Sequence, residues 1–305
     1  MDEAEHSLDF KGRAVVVTGA GRGLGREFAL LLAGRGAQVL VNDFGGNVHG
    51  ESGDASPADA VVREIADTGG AAVANYDSVA DAAGGRAIIA AAKQAFGRVD
   101  ALIHNAGILR DVTIAKMQPE ALDAVIDVHL KGAFNVVVPA FPVMKEQGYG
   151  RVVLISSGSG LFGNFGQANY GAAKTGLLGL MRVLNLEGAR AGIKANCVAP
   201  SARTRMTEDL LGPFADNLDP AHVAPLVAYL CSEQNMLHNQ VFSAGGGRFA
   251  RVFMGLTPGW YAGGAVATVE DIAAHIDEIR DPKDYSIPDS GMDELEIMRK
   301  TFGIG

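Results

Sequence analysis

AVVVTGAGRGLGREFALLLAG, residues 14–34, is the stretch on which the fold reading turns. Its first residues form a continuous β-branched apolar run closed by glycine, the pattern of a strand buried on both faces of a parallel sheet. From Leu24 to Gly34 the apolar residues recur at helical spacing. Strand, glycine-rich turn and helix therefore follow one another without a linker.

Downstream the alternation continues. Apolar strand runs are read at 37–43, 71–77, 101–107 (strand plus exit loop), 151–157, 193–200 and 239–247. Helical periodicity is read at 58–68, 88–96, 119–146, 169–191 and 221–231. This order predicts a doubly wound, Rossmann-like parallel sheet of seven strands with helices on both faces, spanning residues 1–247, and right-handed crossovers. Residues 248–305 form a C-terminal extension with an apolar stretch, FARVFMGLTPGWYAGG, and a helix over 269–280. Trp260 and Tyr261 call for burial against the same or a neighbouring subunit.

TGAGRGLG (18–25) sits where a dinucleotide would be held. Its glycines let backbone approach a pyrophosphate, whose charge the free N–H groups and dipole of the next helix favour. The spacing is TGxxxGxG on Gly19, Gly23 and Gly25; a ligand-free tight turn is the alternative. Asp43 ends the second strand and can accept hydrogen bonds from both adenosine ribose hydroxyls while repelling a 2′-phosphate, which favours NAD over NADP. Arg22 could offset that preference. Asp77, after the third strand, suits an adenine contact or an N-cap. Residues 44–57, rich in Gly, Ser and Asp, read as a surface insertion or a flap over the adenosine end.

Tyr170 and Lys174 stand four apart in NYGAAKTGLLGL, on one helical face one turn apart. A phenol titrates near 10, so a nearby ammonium is expected to lower it enough to act as a base. Ser157 closes the fifth strand, at the carboxyl end of a sheet where ligands bind, with Ser156 as the competing hydroxyl.

TGAGRGLG, HNAG (104–107), Ser157, YGAAK (170–174) and the terminal AGGG resemble the short-chain dehydrogenase/reductase family. The resemblance implies catalytic Ser157, Tyr170 and Lys174. It implies a cofactor lined by Gly19, Arg22, Gly23, Leu24, Gly25, Asp43, Asp77, Ser78, Asn105, Ala106, Gly107, Val198 and Pro200, with Tyr170 and Lys174 also touching it. VNDFGG (41–46), NYDSV (75–79), NAGILRD (105–111) and GNFGQANY (163–170) are similar to one branch. This is the dehydrogenase-domain family of peroxisomal multifunctional enzymes of type 2, also called type-4 17β-hydroxysteroid dehydrogenases. That branch implies NAD-dependent oxidation of a 3-hydroxyacyl-CoA, a homodimer or homotetramer, and substrate contacts from Phe162, Asn164 and Phe165. One departure stands out: VHLKGAF places His129 where the family has asparagine on a water-mediated proton path to the lysine. His129 either serves as that relay or fills the space. His104 reads as a packing histidine. A free-steroid dehydrogenase and a non-catalytic nucleotide-binding regulator are the other readings.

Composition narrows the classes further. The chain has 305 residues, is 48% hydrophobic and carries a formal net charge of −9 without Lys/Arg-rich runs, which argues against nucleic acid as a partner. No uninterrupted apolar run reaches the roughly 20 residues of a membrane span. The acidic start, MDEAEHSLDF, reads as neither a secretory nor a transit peptide, and cytoplasmic residence is expected. Cys197 and Cys231 read as buried reduced thiols, and no metal-ligand spacing is present.

Overall fold

The computed structural model describes residues 8–47, 49–50, 56–203 and 216–303. The chain divides into two compact units, Met1–Arg251 and Val252–Gly305.

In the first unit β1 (Ala14–Thr18) is buried at all five positions. It lies between β2 (Gln38–Asn42) and β4 (Ala101–His104), paired in parallel with both: Val15 opposes Val39 on one side and Ala101 on the other. β3 (Ala71–Asn75) extends the sheet beyond β2, and β5 (Gly150–Ile155), β6 (Ile193–Pro200) and β7 (Val241–Gly245) extend it beyond β4. Strand order reverses between β1 and β4, so a crevice opens outside their carboxyl ends, at the register partners Thr18 and His104.

The strands alternate between two covered faces. Val15 and Val17 join Phe28 and Leu32 of α1 (Gly23–Gly34) in one core cluster with Val39, Val41 and Ile103. Phe28 and Leu32, one turn apart, form the face α1 buries. Val16 is equally buried but points to the opposite face, as strand geometry requires. α3 (Ala82–Phe96) packs there against β1 and against α5 (Gly132–Gln147). α2 (Ser56–Asp67) and α7 (Ala168–Gly188) complete the layers together with helix Ala224–Cys231.

The sheet has eight strands, not the expected seven. β8 (Arg248–Val252) follows β7 after only Gly246 and Gly247, at φ 56° and 77°. Two successive left-handed residues make the tight hairpin turn whose twist matches paired strands, so β8 runs back antiparallel. The boundary expected at residue 247 thus falls inside a hairpin.

The expected long helix is also interrupted. α4 (Pro119–Ile126) passes through a π-helical turn at Asp127–Lys131 before α5 begins. The run Pro119–Gln147 is long and apolar enough to cross a membrane by length and composition. Val125, Ala133, Val136, Val137, Ala140 and Met144 are nevertheless buried inside the first unit, which is the pattern of a core helix. Cys197 and Cys231 are free, buried thiols, as expected.

The second unit holds helices Val269–Ala274, Ile276–Ile279 and Gly291–Thr301. Two capping boxes, Thr268 with Asp271 and Ser290 with Asp293, start the first and last. The helix expected over 269–280 is split at His275, whose ring stacks on Trp260 with centroids 4.0 Å apart. Tyr261 leans on Phe302 at 5.4 Å between ring centroids and is exposed within the single chain, while Trp260 is half-buried.

Candidate active site

A cavity of about 380 Å³ opens at the strand-order reversal. At one end it is lined by Gly19, Arg22, Gly23 and Leu24, from the turn into α1, and by Asp43. Asp77 and Ser78 line it after β3, and Asn105, Ala106, Gly107 and Pro200 after β4 and at the end of β6. Gly25 stands behind this wall: a Cβ there would meet the Gly19 carbonyl oxygen at 2.2 Å, so only glycine lets the helix start this close to the turn. Val198 is fully buried and does not line the cavity; its carbonyl accepts from the Ser156 N–H at 2.7 Å.

Thr18, which motif reading passed over, ties the two loops together. Its Oγ1 accepts from the backbone N–H groups of Asn105 and Ala106, each at 3.1 Å. The Asn105 amide donates back to the carbonyls of Thr18 and Gly19 at 3.2 and 2.9 Å. With its oxygen accepting twice, Thr18 has its own proton for His104 Nδ1, 3.3 Å away, which leaves His104 Nε2–H to donate to the His129 carbonyl at 3.1 Å. His104 is thus a satisfied packing histidine, pushed down to about 3 by burial.

Asp43 is held by two backbone donors, Gly21 N–H to Oδ2 and Gly45 N–H to Oδ1, both at 2.7 Å. Phe44, Gly46, Asn47 and Gly50 of the insertion also line the cavity, and Ser56 and Pro57 already belong to α2; Val48 and residues 51–55 lie outside the described residues. Asp77 is not an N-cap: Asp81 caps α3 by accepting from Gly84 N–H at 2.7 Å, and Asp77 accepts from the Asn75 amide at 2.8 Å. A glycine turn at a helix start, a carboxylate at the end of β2 and a cavity joining them to α7 fit a nicotinamide dinucleotide.

The other end of the cavity is lined by Ser156, Ser157, Tyr170, Lys174 and His129. Ser156 is spent on structure, its hydroxyl donating to the Lys174 carbonyl at 3.0 Å. Ser157 caps α6 (Gly158–Phe162), its Oγ accepting from Ser159 N–H at 3.2 Å. Lys174 is buried, and its Nζ donates to the Ile155 carbonyl at 2.6 Å.

The electrostatics add burial to what the spacing predicts. Burial pushes the Tyr170 phenol up, a hydrogen bond with Ser157 pulls it down, and the Asp111 charge pushes up again. Burial likewise pushes Lys174 down to about 7. Its Nζ lies 5.5 Å from the Tyr170 ring centroid. Burial of both groups therefore opposes the downward shift of the phenol that the four-residue spacing predicts.

His129 is buried in the π-helical turn. Its Nε2 is 2.8 Å from the Ile108 carbonyl and 3.0 Å from the Ile108 N–H. Its ring meets Tyr170 edge-on at 5.0 Å, and Nδ1 has no partner among the described residues. Burial, then the Lys174 charge, holds the imidazole well below its ordinary range. Phe162 and Phe165 are neither core nor cavity wall: they are 75% and 89% exposed. Asn164 donates to Gln167 at 3.1 Å and also lies outside the cavity wall.

Residues 13–211 match the short chain dehydrogenase family. The chain is 53% identical, over 88% of its length and 94% of the relative's, to a short-chain type dehydrogenase/reductase of Mycobacterium tuberculosis. It is 50% identical over 81% of its length to the peroxisomal hydratase-dehydrogenase-epimerase of Saccharomyces cerevisiae, but spans only 27% of that protein. Among solved structures, full-length peroxisomal multifunctional enzyme type 2 from Drosophila melanogaster superposes with a TM-score of 0.81 at 35% identity, over 97% of this chain and 50% of that one. A short chain dehydrogenase from Mycobacterium avium gives 0.79 at 40% identity, over 90% and 98%. With the glycine turn, the β4 exit loop and the Tyr170–Lys174 helix facing one cavity, this chain belongs to the short-chain dehydrogenase family of oxidoreductases.

Proposed function

We propose that this protein oxidises the hydroxyl of a 3-hydroxyacyl-CoA to the 3-oxoacyl-CoA with NAD. The observation that carries the reading is that Ser157, Tyr170 and Lys174 open on the same cavity as the glycine turn and Asp43. A bound nicotinamide dinucleotide supplies the hydride acceptor and, in its oxidised form, a positive charge. Gly19, Gly23 and the start of α1 would hold its pyrophosphate, Asp43 its adenosine ribose, and Asp77 and Ser78 its adenine. Ser157 would orient the substrate hydroxyl, and Tyr170 would take its proton as general base. Lys174 would hold the nicotinamide ribose, and His129 would support the proton path through its spare Nδ1.

The acyl-CoA substrate class is supported by the peroxisomal relatives, whose names combine hydratase and dehydrogenase activities. Relatives named 3-oxoacyl-[acyl-carrier-protein] reductase, 38% identical in Synechocystis, favour a second reading in which the same residues reduce a 3-oxoacyl thioester. The deciding experiment is a panel of both stereoisomers of 3-hydroxyacyl-CoA thioesters, 3-oxoacyl carrier-protein thioesters and free hydroxysteroids, each with NAD and NADP cofactors. Hydroxyacyl-CoA with NAD is expected to give the highest kcat/KM; preference for the free steroid or for NADP-linked reduction would overturn the reading. NAD should also raise the melting temperature more than NADP does.

Apolar residues exposed on α5 (Phe134, Val138) and on α7 (Val183, Leu186) support a homo-oligomer, which light scattering would detect. Cytoplasmic residence is part of the same proposal.

A further inference from the structure

Gln167 is only 5% exposed, yet it does not line the cavity. Its side-chain oxygen accepts two hydrogen bonds, from Ser159 Oγ at 2.7 Å and from the Asn164 amide at 3.1 Å. Its side-chain amide donates to Asp111 Oδ2 at 2.7 Å. Its backbone carbonyl accepts from Gly171 N–H at 2.7 Å, in the first turn of α7, and it forms a β-bridge with Val112. Three segments therefore meet on one buried amide: the loop after β4, the start of α6, and the turn that delivers Tyr170. Ser159 is also the residue whose N–H the Ser157 hydroxyl caps, so the chain of contacts runs Ser157, Ser159, Gln167 and then Tyr170 three residues on.

We propose that Gln167 is the positioning residue that sets the distance and orientation between Ser157 and Tyr170, with Asp111 as its anchor. The proposal rests on the reading that those two hydroxyls carry the chemistry. The physical argument is that Ser157 sits at the tip of a five-residue helix and Tyr170 near the start of a separate one. The two helices pack on one another, with Thr175 Oγ1 donating to the Gly160 carbonyl, and the Gln167 amide adds a second link at the Ser157–Tyr170 end that is directional where apolar packing is not. The polarity is specified as well. The oxygen of Gln167 must face two donors and its nitrogen must face a carboxylate, so an acid at this position would confront Asp111. The ionisable side chains nearest in the chain are Arg110 on the loop and Tyr170 and Lys174 on α7, with Glu120 and Asp123 on the neighbouring α4.

The test uses the full-length protein. Gln167→Leu is expected to lower kcat about 10- to 100-fold while the KM for the dinucleotide stays within about twofold, the signature of misplacement rather than lost binding. Gln167→Glu keeps the shape and places two carboxyls in hydrogen-bond contact. Its activity is expected to approach the unaltered level at acid pH, where the pair holds a proton, and to fall as pH rises and the pair ionises. The double variant D111N/Q167E restores a donor-to-carboxylate contact with reversed polarity, and should recover activity to within about threefold and lose the pH dependence. Hydrogen exchange of the amides of 157–163 in Gln167→Leu gives a readout without turnover: it should accelerate at least about 10-fold while β1 amides are unchanged. No turnover by the unaltered protein on any substrate would count against the functional reading, and the exchange experiment would still decide the role of Gln167. The proposal is overturned if Gln167→Leu leaves exchange over 157–163 unchanged, or if D111N/Q167E is no more active than Q167E.

Discussion

Val15–Val17 in β1 and Val266–Val269 in the tail are similar in their apolar residues and opposite in fate. The first three side chains are fully buried, whereas Val266 is 97% exposed and Val269 is exposed as well. The contrast holds for whole units: the first carries the core and the cavity, and in the second no described residue is fully buried. Hydrophobicity alone does not bury a side chain. β1 has a hydrogen-bonded strand on each side and a helical layer on each face, whereas the second unit has three short helices to cover its apolar groups. A chain segment of about 60 residues buries only about 60% of the surface its unfolded chain exposes, so the core it can build is marginal. Capping boxes and the Trp260–His275 stack organise the second unit locally instead.

The largest test of this contrast is chemical. If the first unit holds the whole reaction, Tyr170→Phe should lower kcat by about 10³-fold or more while dinucleotide binding, followed by cofactor fluorescence, stays within about threefold. Residual turnover near that of the unaltered protein would place the base elsewhere.

Next come paired truncations. Leu32→Ala empties a fully buried site on α1 and should cost about 3 kcal/mol of unfolding free energy. Leu295→Ala, on an exposed helix of the second unit, should cost less than about 0.5 kcal/mol. Equal costs in chemical denaturation would break the comparison.

The smallest effect is on pH dependence. Burial holds the folded Lys174 at about 7 against 10.5 in the unfolded chain, so between those values the unfolded state binds more protons. Stability should therefore rise with pH across that window, and the destabilisation is complete below it. Lys174→Met should flatten this slope in melting temperature.

Much of the first unit was readable from residue order. The β6 boundaries match the run 193–200, and Asp43, Ser157, Tyr170 and Lys174 all line the cavity anticipated for them. These positions follow from local rules: strand runs, a glycine turn and a four-residue helical spacing. β8 was hidden because it has only the two-glycine turn as a signal and a mostly exposed, charged sequence. Thr18 and Gln167 were hidden because their importance lies in partners 87 and 56 residues away. The sign of the Tyr170 shift was hidden for a related reason: spacing reports that a lysine is near but not how deeply both groups are buried.

What the sequence by itself determined is the alternating sheet, the glycine turn that opens the first helix and the chemistry-bearing residue types, because each depends on neighbours within a few positions. What only the tertiary structure decided is which polar groups meet and in what dielectric: Asp43 held between Gly21 and Gly45, Ser156 diverted to the Lys174 carbonyl, Lys174 desolvated beneath Tyr170. Those outcomes depend on burial and on long-range contacts. Both arise from the packing of all layers together and from no single stretch of chain.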